Sequence, residues 1–168
     1  MTTTSCLTPN PKFDLVLERL VDLPAEKIWQ AWTTPEIIVH WFTPAPWQTT
    51  ECQMDLRPGG QFRTVMRSPE GESFPNEGCF LEVVEVRKLV WTNAMMPGFR
   101  PVQSQPQSSC GDFLFTAAIT LAPEGNMTKY TALVVHADDT GRKLHEEMGF
   151  YEGWGIALDQ LIAYMKTH

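Results

Sequence analysis

Residues 148–161, MGFYEGWGIALDQL, set Gly149, Gly153 and Gly155 inside the strongest helical pattern of the chain. Around them Leu144, Met148, Tyr151, Trp154, Leu158, Leu161, Ile162 and Met165 recur three or four residues apart, the spacing that lines apolar side chains along one helix face. The pattern predicts a single helix from Asp138 to Met165, about 40 Å long at 1.5 Å per residue, capped by Asp138, Asp139 or Thr140. A glycine inside a helix costs about 1 kcal/mol relative to alanine. Three of them need a reason, and the reason expected here is room, either for a close approach of the sheet or for a cavity. Tight packing or a kink with no ligand is the alternative.

A long amphipathic helix needs a surface to lie on, and the upstream chain supplies one. FLFTAAITLAP and MTKYTALVVHA read as a hairpin across EGN, and NEGCFLEVVEV and LVWTNAM as two further strands joined tightly at Arg87 and Lys88. QTTECQMDLR and QFRTVMRS form another hairpin around Pro58-Gly59-Gly60. KFDLVLERLVDL is a first strand, ended by Pro24, and PAEKIWQAWTT and PEIIVHWF read as two short helices opened by prolines. The order is strand, two helices, about six antiparallel strands and a long helix, an α+β layout in which the helix covers one sheet face. A tail of residues 1–11 precedes a single domain of residues 12–168, and Pro97 to Asp112 is the one long loop.

Composition narrows the partners. With 168 residues, 43% of them hydrophobic, and a formal net charge of −7, the chain suits one buried core and offers no basic surface for nucleic acid or anionic membrane. No stretch reads as a leader or a membrane span, so a cytoplasmic protein is expected. Cys6, Cys52, Cys79 and Cys110 stand singly, without a CxxC pair, and are expected to be free thiols. The open edges of an antiparallel sheet leave both monomer and homodimer open.

PAEKIWQAWTTPE, HWF, DLRPGGQFR, EGCFLEVVEVRKLVWT and EEMGFYEGWGIALDQL, taken in that order from about Phe13 to Met165, resemble the START-like helix-grip proteins of the SRPBCC superfamily. Within it they resemble the branch related to the C-terminal domain of the heat-shock-chaperone ATPase activator. The resemblance implies the helix-grip (START-like, Bet v-like) fold. In that fold a curved antiparallel sheet of six to seven strands wraps a long C-terminal helix, with an apolar cavity between them for a lipid, a polyketide or another flat molecule. The chain departs from the family in lacking a proline before the strand that carries VWT, and in the length of its 97–112 loop, which could act as a lid.

Chemistry-bearing residues are few. No GxSxG elbow, phosphate loop or dinucleotide loop is present, and no cofactor is expected. His136, Asp138 and His145 could converge on a metal, but His145 beside Glu146 and Glu147 reads more simply as a solvated helix face, and no metal is expected. The candidates for proton transfer are His136, Tyr130 and His40, with Glu82 behind them. Strand alternation puts Tyr130, Ala132, Val134 and His136 on one face, inward if the cavity exists. The expected cavity wall is aromatic: Trp41, Trp47, Phe80, Trp91, Phe99, Phe115, Phe150 and Trp154. Met66 and Met95 give it adaptable filling, and Tyr130 and His136 serve as its polar handles. Three functions compete: a binding protein for a small hydrophobic molecule; a cyclase- or aromatase-like enzyme that uses those handles; and a co-chaperone. The last is suggested by the family name alone, and no counterpart of the activators' separate N-terminal domain is expected here.

Overall fold

A computed structural model of the chain describes residues 8–102 and 114–168. The first strand β1 (Asp14–Val21) leads into α1 (Ala25–Thr33) and α2 (Pro35–Trp41). Then come β2 (Gln48–Met54), β3 (Gln61–Arg67), β4 (Ser73–Val84) and β5 (Lys88–Thr92), a small ribbon of β6 (Met95–Met96) and β7 (Arg100–Pro101), and the hairpin β8 (Phe115–Glu124) and β9 (Met127–His136). The chain closes with α3 (Asp139–Glu147) and α4 (Phe150–Thr167). The seven main strands form one antiparallel sheet in the order β1-β9-β8-β5-β4-β3-β2, so the two ends of the chain meet at one side and α2 packs on β2 at the other. This is the helix-grip architecture.

The sheet's inner face carries the main core. Ile28 and Trp32 of α1, Ile38 and Trp41 of α2, and Leu158, Leu161 and Met165 of α4 pack there with Leu15, Leu89, Ile119 and Val134. Alternation on β9 resolves as its sequence suggests, with Tyr130, Ala132, Val134 and His136 all buried inward. A smaller cluster of Val90, Ala118 and Leu133 forms apart from the main core. The Gly59–Gly60 turn is pinned from outside its own hairpin: Gly59 N–H donates to the Phe80 carbonyl at 2.7 Å, and Phe80 N–H returns to the Gly60 carbonyl at 3.0 Å.

The expectation of one continuous helix from Asp138 is corrected. Asp138 does cap α3, accepting from Gly141 N–H at 2.8 Å. The helix stops at Met148, and Gly149 adopts φ +92°, a left-handed backbone that turns the chain before α4 begins. The apolar stripe drawn through Leu144, Met148 and Tyr151 therefore does not face the core: these side chains are 47%, 56% and 48% exposed. Instead His145 and Phe150 turn inward. The described part of the 97–112 loop begins with the β6–β7 ribbon, whereas residues 103–112, Cys110, Cys6 and residues 1–7 of the tail lie outside the described residues. Cys52 and Cys79 are free thiols, and burial raises the pKa of Cys52 to about 11. No helix among the described residues is long and apolar enough to cross a membrane.

Candidate functional site

Between the sheet and the first half of α4 the packing opens into a cavity of about 330 Å³. Its wall is built from three directions. Trp32, Trp41 and Phe42 come from α1, α2 and the residue after it; Phe62, Trp91, Phe115 and Tyr130 from the sheet; and Phe150, Trp154, Ala157 and Leu158 from α4. The rings brace one another edge to face. Phe62 meets Trp91 at 5.1 Å and Phe42 at 5.7 Å, and Trp91 meets Phe115 at 5.4 Å, while Phe150 and Trp154 lie tilted to each other at 5.2 Å. Such pairs add about 0.5–1.5 kcal/mol each beyond their burial and leave the wall little freedom to collapse inward.

One side chain ties the floor to the helix. Gln160 on α4 donates to the carbonyls of Trp41 and Thr43 at 3.0 and 2.9 Å and accepts from Ala45 N–H at 2.9 Å. This places Pro44 beneath Gly153, where a Cβ would meet it at 3.8 Å, an ordinary contact. Gly149 and Gly153 both border the cavity. Gly155 does not: a Cβ there would meet nothing within 4 Å, and its carbonyl accepts from Arg19 at 3.3 Å. The three glycines, all expected to make room for the sheet or for a cavity, thus divide. Gly149 serves a turn, Gly153 leaves a space, and Gly155 has no steric reason.

The polar groups are sparse and mostly committed to the protein. Thr43 pairs with Thr49, and Thr92 donates to the Phe115 carbonyl at 2.9 Å. Glu77 accepts from Gln61. Burial pushes the Tyr130 hydroxyl well above the ordinary phenol range, against the opposing pull of Trp32 and Arg19. The Trp91 indole N–H is buried and has no hydrogen-bond partner among the described residues.

Where β9 ends, two histidines meet. His136 Nδ1 lies 2.9 Å from the Phe13 carbonyl, and its Nε2 lies 3.0 Å from Nδ1 of His145. His145 borders the cavity, against Phe115 and Phe150 at 5.3 and 5.2 Å between ring centres. Burial lowers both pKa values, that of His145 to about 4, with His136 adding to the shift. For His136 the Phe13 carbonyl, Asp14 and Asp138 pull the other way, while Arg142 reinforces burial. The reading of His145 as a solvated residue is corrected: it is 8% exposed. Its signal is hidden because Glu146 and Glu147 beside it are exposed, and only the break at Gly149 shows how α3 presents position 145 to the sheet.

Of the residues expected in the wall, Trp41, Met66, Trp91, Phe115, Tyr130, Phe150 and Trp154 border the cavity. His136 stands one residue behind it, through His145. Phe80 is fully buried behind Phe62, stacked on it at 5.1 Å. Trp47 packs on Phe74 at 5.6 Å, Met95 belongs to the β6–β7 ribbon, and Phe99 is exposed, with its ring over Gly59. His40 is exposed and stacks on Tyr164 at 4.7 Å, and Glu82 pairs with Lys88 at 3.0 Å. Phe62, Pro44 and His145 are among the wall residues that the sequence had not singled out for it. Among the described residues no three His, Cys, Asp or Glu side chains gather to hold a metal.

Comparison with known proteins gives a consistent picture. A family model described as Activator of Hsp90 ATPase homolog 1-like protein matches residues 22–166. The solved structure of a protein from Nitrosomonas europaea is 43% identical and superposes with a TM-score of 0.88, over 95% of this chain and 97% of that one. The AHSA1-like protein from Aeromonas hydrophila is 22% identical, with a TM-score of 0.66 over 92% of each chain. A protein from Arthrobacter aurescens is 18% identical, with a TM-score of 0.78 over 99% of this chain and 94% of that one. At such identities the last two speak for the fold. No curated protein matches the chain.

Proposed function

The chain belongs to the family of Activator of Hsp90 ATPase homolog 1-like proteins, and from that premise we propose that it binds a small, flat, apolar molecule between its sheet and α4. One observation carries the reading: an aromatic-walled cavity of about 330 Å³, bordered by a helix glycine whose Cβ would have room. That volume lies at the lower end of ligand sites, which are mostly apolar with a few placed polar groups. A sequence selected for stability alone gains twice by replacing Gly153, once in helix propensity and once in filling space. Keeping glycine there makes sense if the space is used.

Native mass spectrometry of the protein from its own host, with thermal shifts against fatty acids, flavonoids and polyketides, tests the proposal. The expected result is a co-purifying mass lost on denaturation, or a Tm that climbs with ligand concentration as linkage requires. Neither should survive in Gly153→Leu. No mass and no shift across the panel would overturn the reading. A second reading, proton transfer in the cavity as in a cyclase, draws on the buried His136–His145 pair; turnover lost in His136→Ala with binding intact would favour it. The family's description names the Hsp90 ATPase, and capture of Hsp90 that Gly153→Leu leaves unchanged would favour a co-chaperone.

A further inference from the structure

The sheet side of the cavity has two unlike ends. Phe80, Trp91, Ala117 and Val134 lie level with one another across the ladder. Tyr130 stands four residues to one side of that line on β9 and is buried, as is Trp32. Asn76 stands four residues to the other side on β4 and is exposed. All three of Tyr130, Trp32 and Asn76 border the cavity, so it is closed and aromatic at the Tyr130 end and open at the Asn76 end.

Directly opposite Asn76 in the ladder is Thr64. Phe62, Thr64 and Met66 all border the cavity, as alternate residues of an inward-facing strand do, while Arg63 between them reaches Glu51 at 3.4 Å. Thr64 is buried, yet its hydroxyl has no hydrogen-bond partner among the described residues. Among those residues the polar side-chain atoms that are both sealed and unpartnered are the indole nitrogens of Trp32 and Trp91. The Thr64 oxygen is therefore not sealed, and the space it opens on is the cavity. Asn76 makes one side-chain hydrogen bond, from Nδ2 to the Phe74 carbonyl at 3.1 Å, which leaves its amide oxygen uncommitted.

Paired across adjacent strands, with Cβ atoms about 4.5–5.5 Å apart, the two side chains offer a neutral donor and acceptor to a single ligand group. The lining offers nothing comparable to an ion. No lysine or arginine borders the cavity among the described residues. Glu77 borders it, but its carboxylate accepts from Gln61, which alternation puts on the other face of the sheet with Arg63. A carboxylate head would lose its hydration with no cation to meet, and an ammonium would find no anion. We propose that Thr64 and Asn76 hold the neutral polar head, a carbonyl or a hydroxyl, of a flat ligand whose apolar rings run toward Trp32 and Tyr130. This rests on the cavity-binding reading above, and it assigns the ligand's class, its direction in the cavity and the residues that read its head.

Three probes of similar shape test this: 2-acetylnaphthalene, its hydrocarbon analogue 2-isopropenylnaphthalene, and 2-naphthoate, titrated by calorimetry into the full chain. Thr64→Val keeps the shape of the side chain and removes its hydroxyl. It should weaken the ketone about fivefold, the worth of one net hydrogen bond, and leave the hydrocarbon unchanged, whereas Thr64→Ser should keep the wild-type affinity for the ketone. Comparing two ligands in one variant cancels any change in folding. Asn76→Lys supplies the missing cation and should bind naphthoate roughly tenfold more tightly than the wild type does. In the wild type, nuclear Overhauser contacts should run from the acetyl methyl to the Thr64 methyl and from the rings to the Trp32 indole. No loss or equal losses for ketone and hydrocarbon in Thr64→Val, contacts in the reverse direction, or naphthoate bound by the wild type as tightly as the ketone would overturn the assignment while leaving an apolar cavity. Binding of no probe overturns the cavity reading and this one with it.

Discussion

A Cβ added at Gly60 would stand 1.9 Å from the Asp55 carbonyl oxygen, and one at Gly78 would stand 2.0 Å from that of Thr92. On α4, a Cβ at Gly153 meets only Pro44 at 3.8 Å, and one at Gly155 meets nothing within 4 Å. The sheet glycines are where backbone presses on backbone, and no side chain can be fitted without moving a strand or a turn. The helix glycines border space. Identical residues thus do opposite work on the two layers: in the sheet they close the structure, and near the start of α4 they keep it open. Further along the same helix Leu158, Leu161 and Met165 are buried in full contact with the core. The helix is packed at one end and stands off at the other.

The comparison can be broken at several points. Gly78→Ala should cost the most, about 3 kcal/mol or more, because the obstacle is main chain and cannot swing aside; urea denaturation would measure it, and a near-neutral result would dissolve the contrast. Next comes acid on the open side. Unfolded His145 takes its proton near its ordinary pKa of 6.5, whereas in the folded chain it does so only near 4. Over that window the unfolded state binds more protons, so stability falls as pH drops from about 6.5 to 4, by an amount on the order of 3 kcal/mol. His145→Phe should flatten this slope.

Gly149→Ala should cost about 1–2 kcal/mol, since φ +92° strains any residue with a Cβ. Gly155→Ala should raise stability by up to about 1 kcal/mol and leave ligand affinity alone. A loss of binding there would mean that the space extends further along α4 than the wall suggests.

Much of this was legible in the sequence, and the limits are physical. Turn residues and strand alternation are local signals, so the element order and the shared face of Tyr130 to His136 could be read directly. Periodicity reports that residues share a helix face but not what that face meets, so the stripe ran straight through Leu144, Met148 and Tyr151 into solvent. The break at Gly149 is one backbone dihedral, and a helical repeat does not record it. Depth is equally silent: Phe62 and Phe80 both point inward, yet one forms the wall and the other lies behind it. His145 shows the same limit, because its burial depends on the angle of α3. That angle is set by the Asp138 cap and the contact with His136, which comes from a different element.

The cavity wall has an optical consequence. Trp32, Trp41, Trp91 and Trp154 all border it, four of the six tryptophans in the chain. Their emission responds to polarity and to any ring that stacks nearby, so a molecule entering between sheet and helix alters most of the protein's fluorescence at once. Occupancy, and the rate at which it changes, can therefore be followed without a label, with Trp29 and Trp47 as the built-in background.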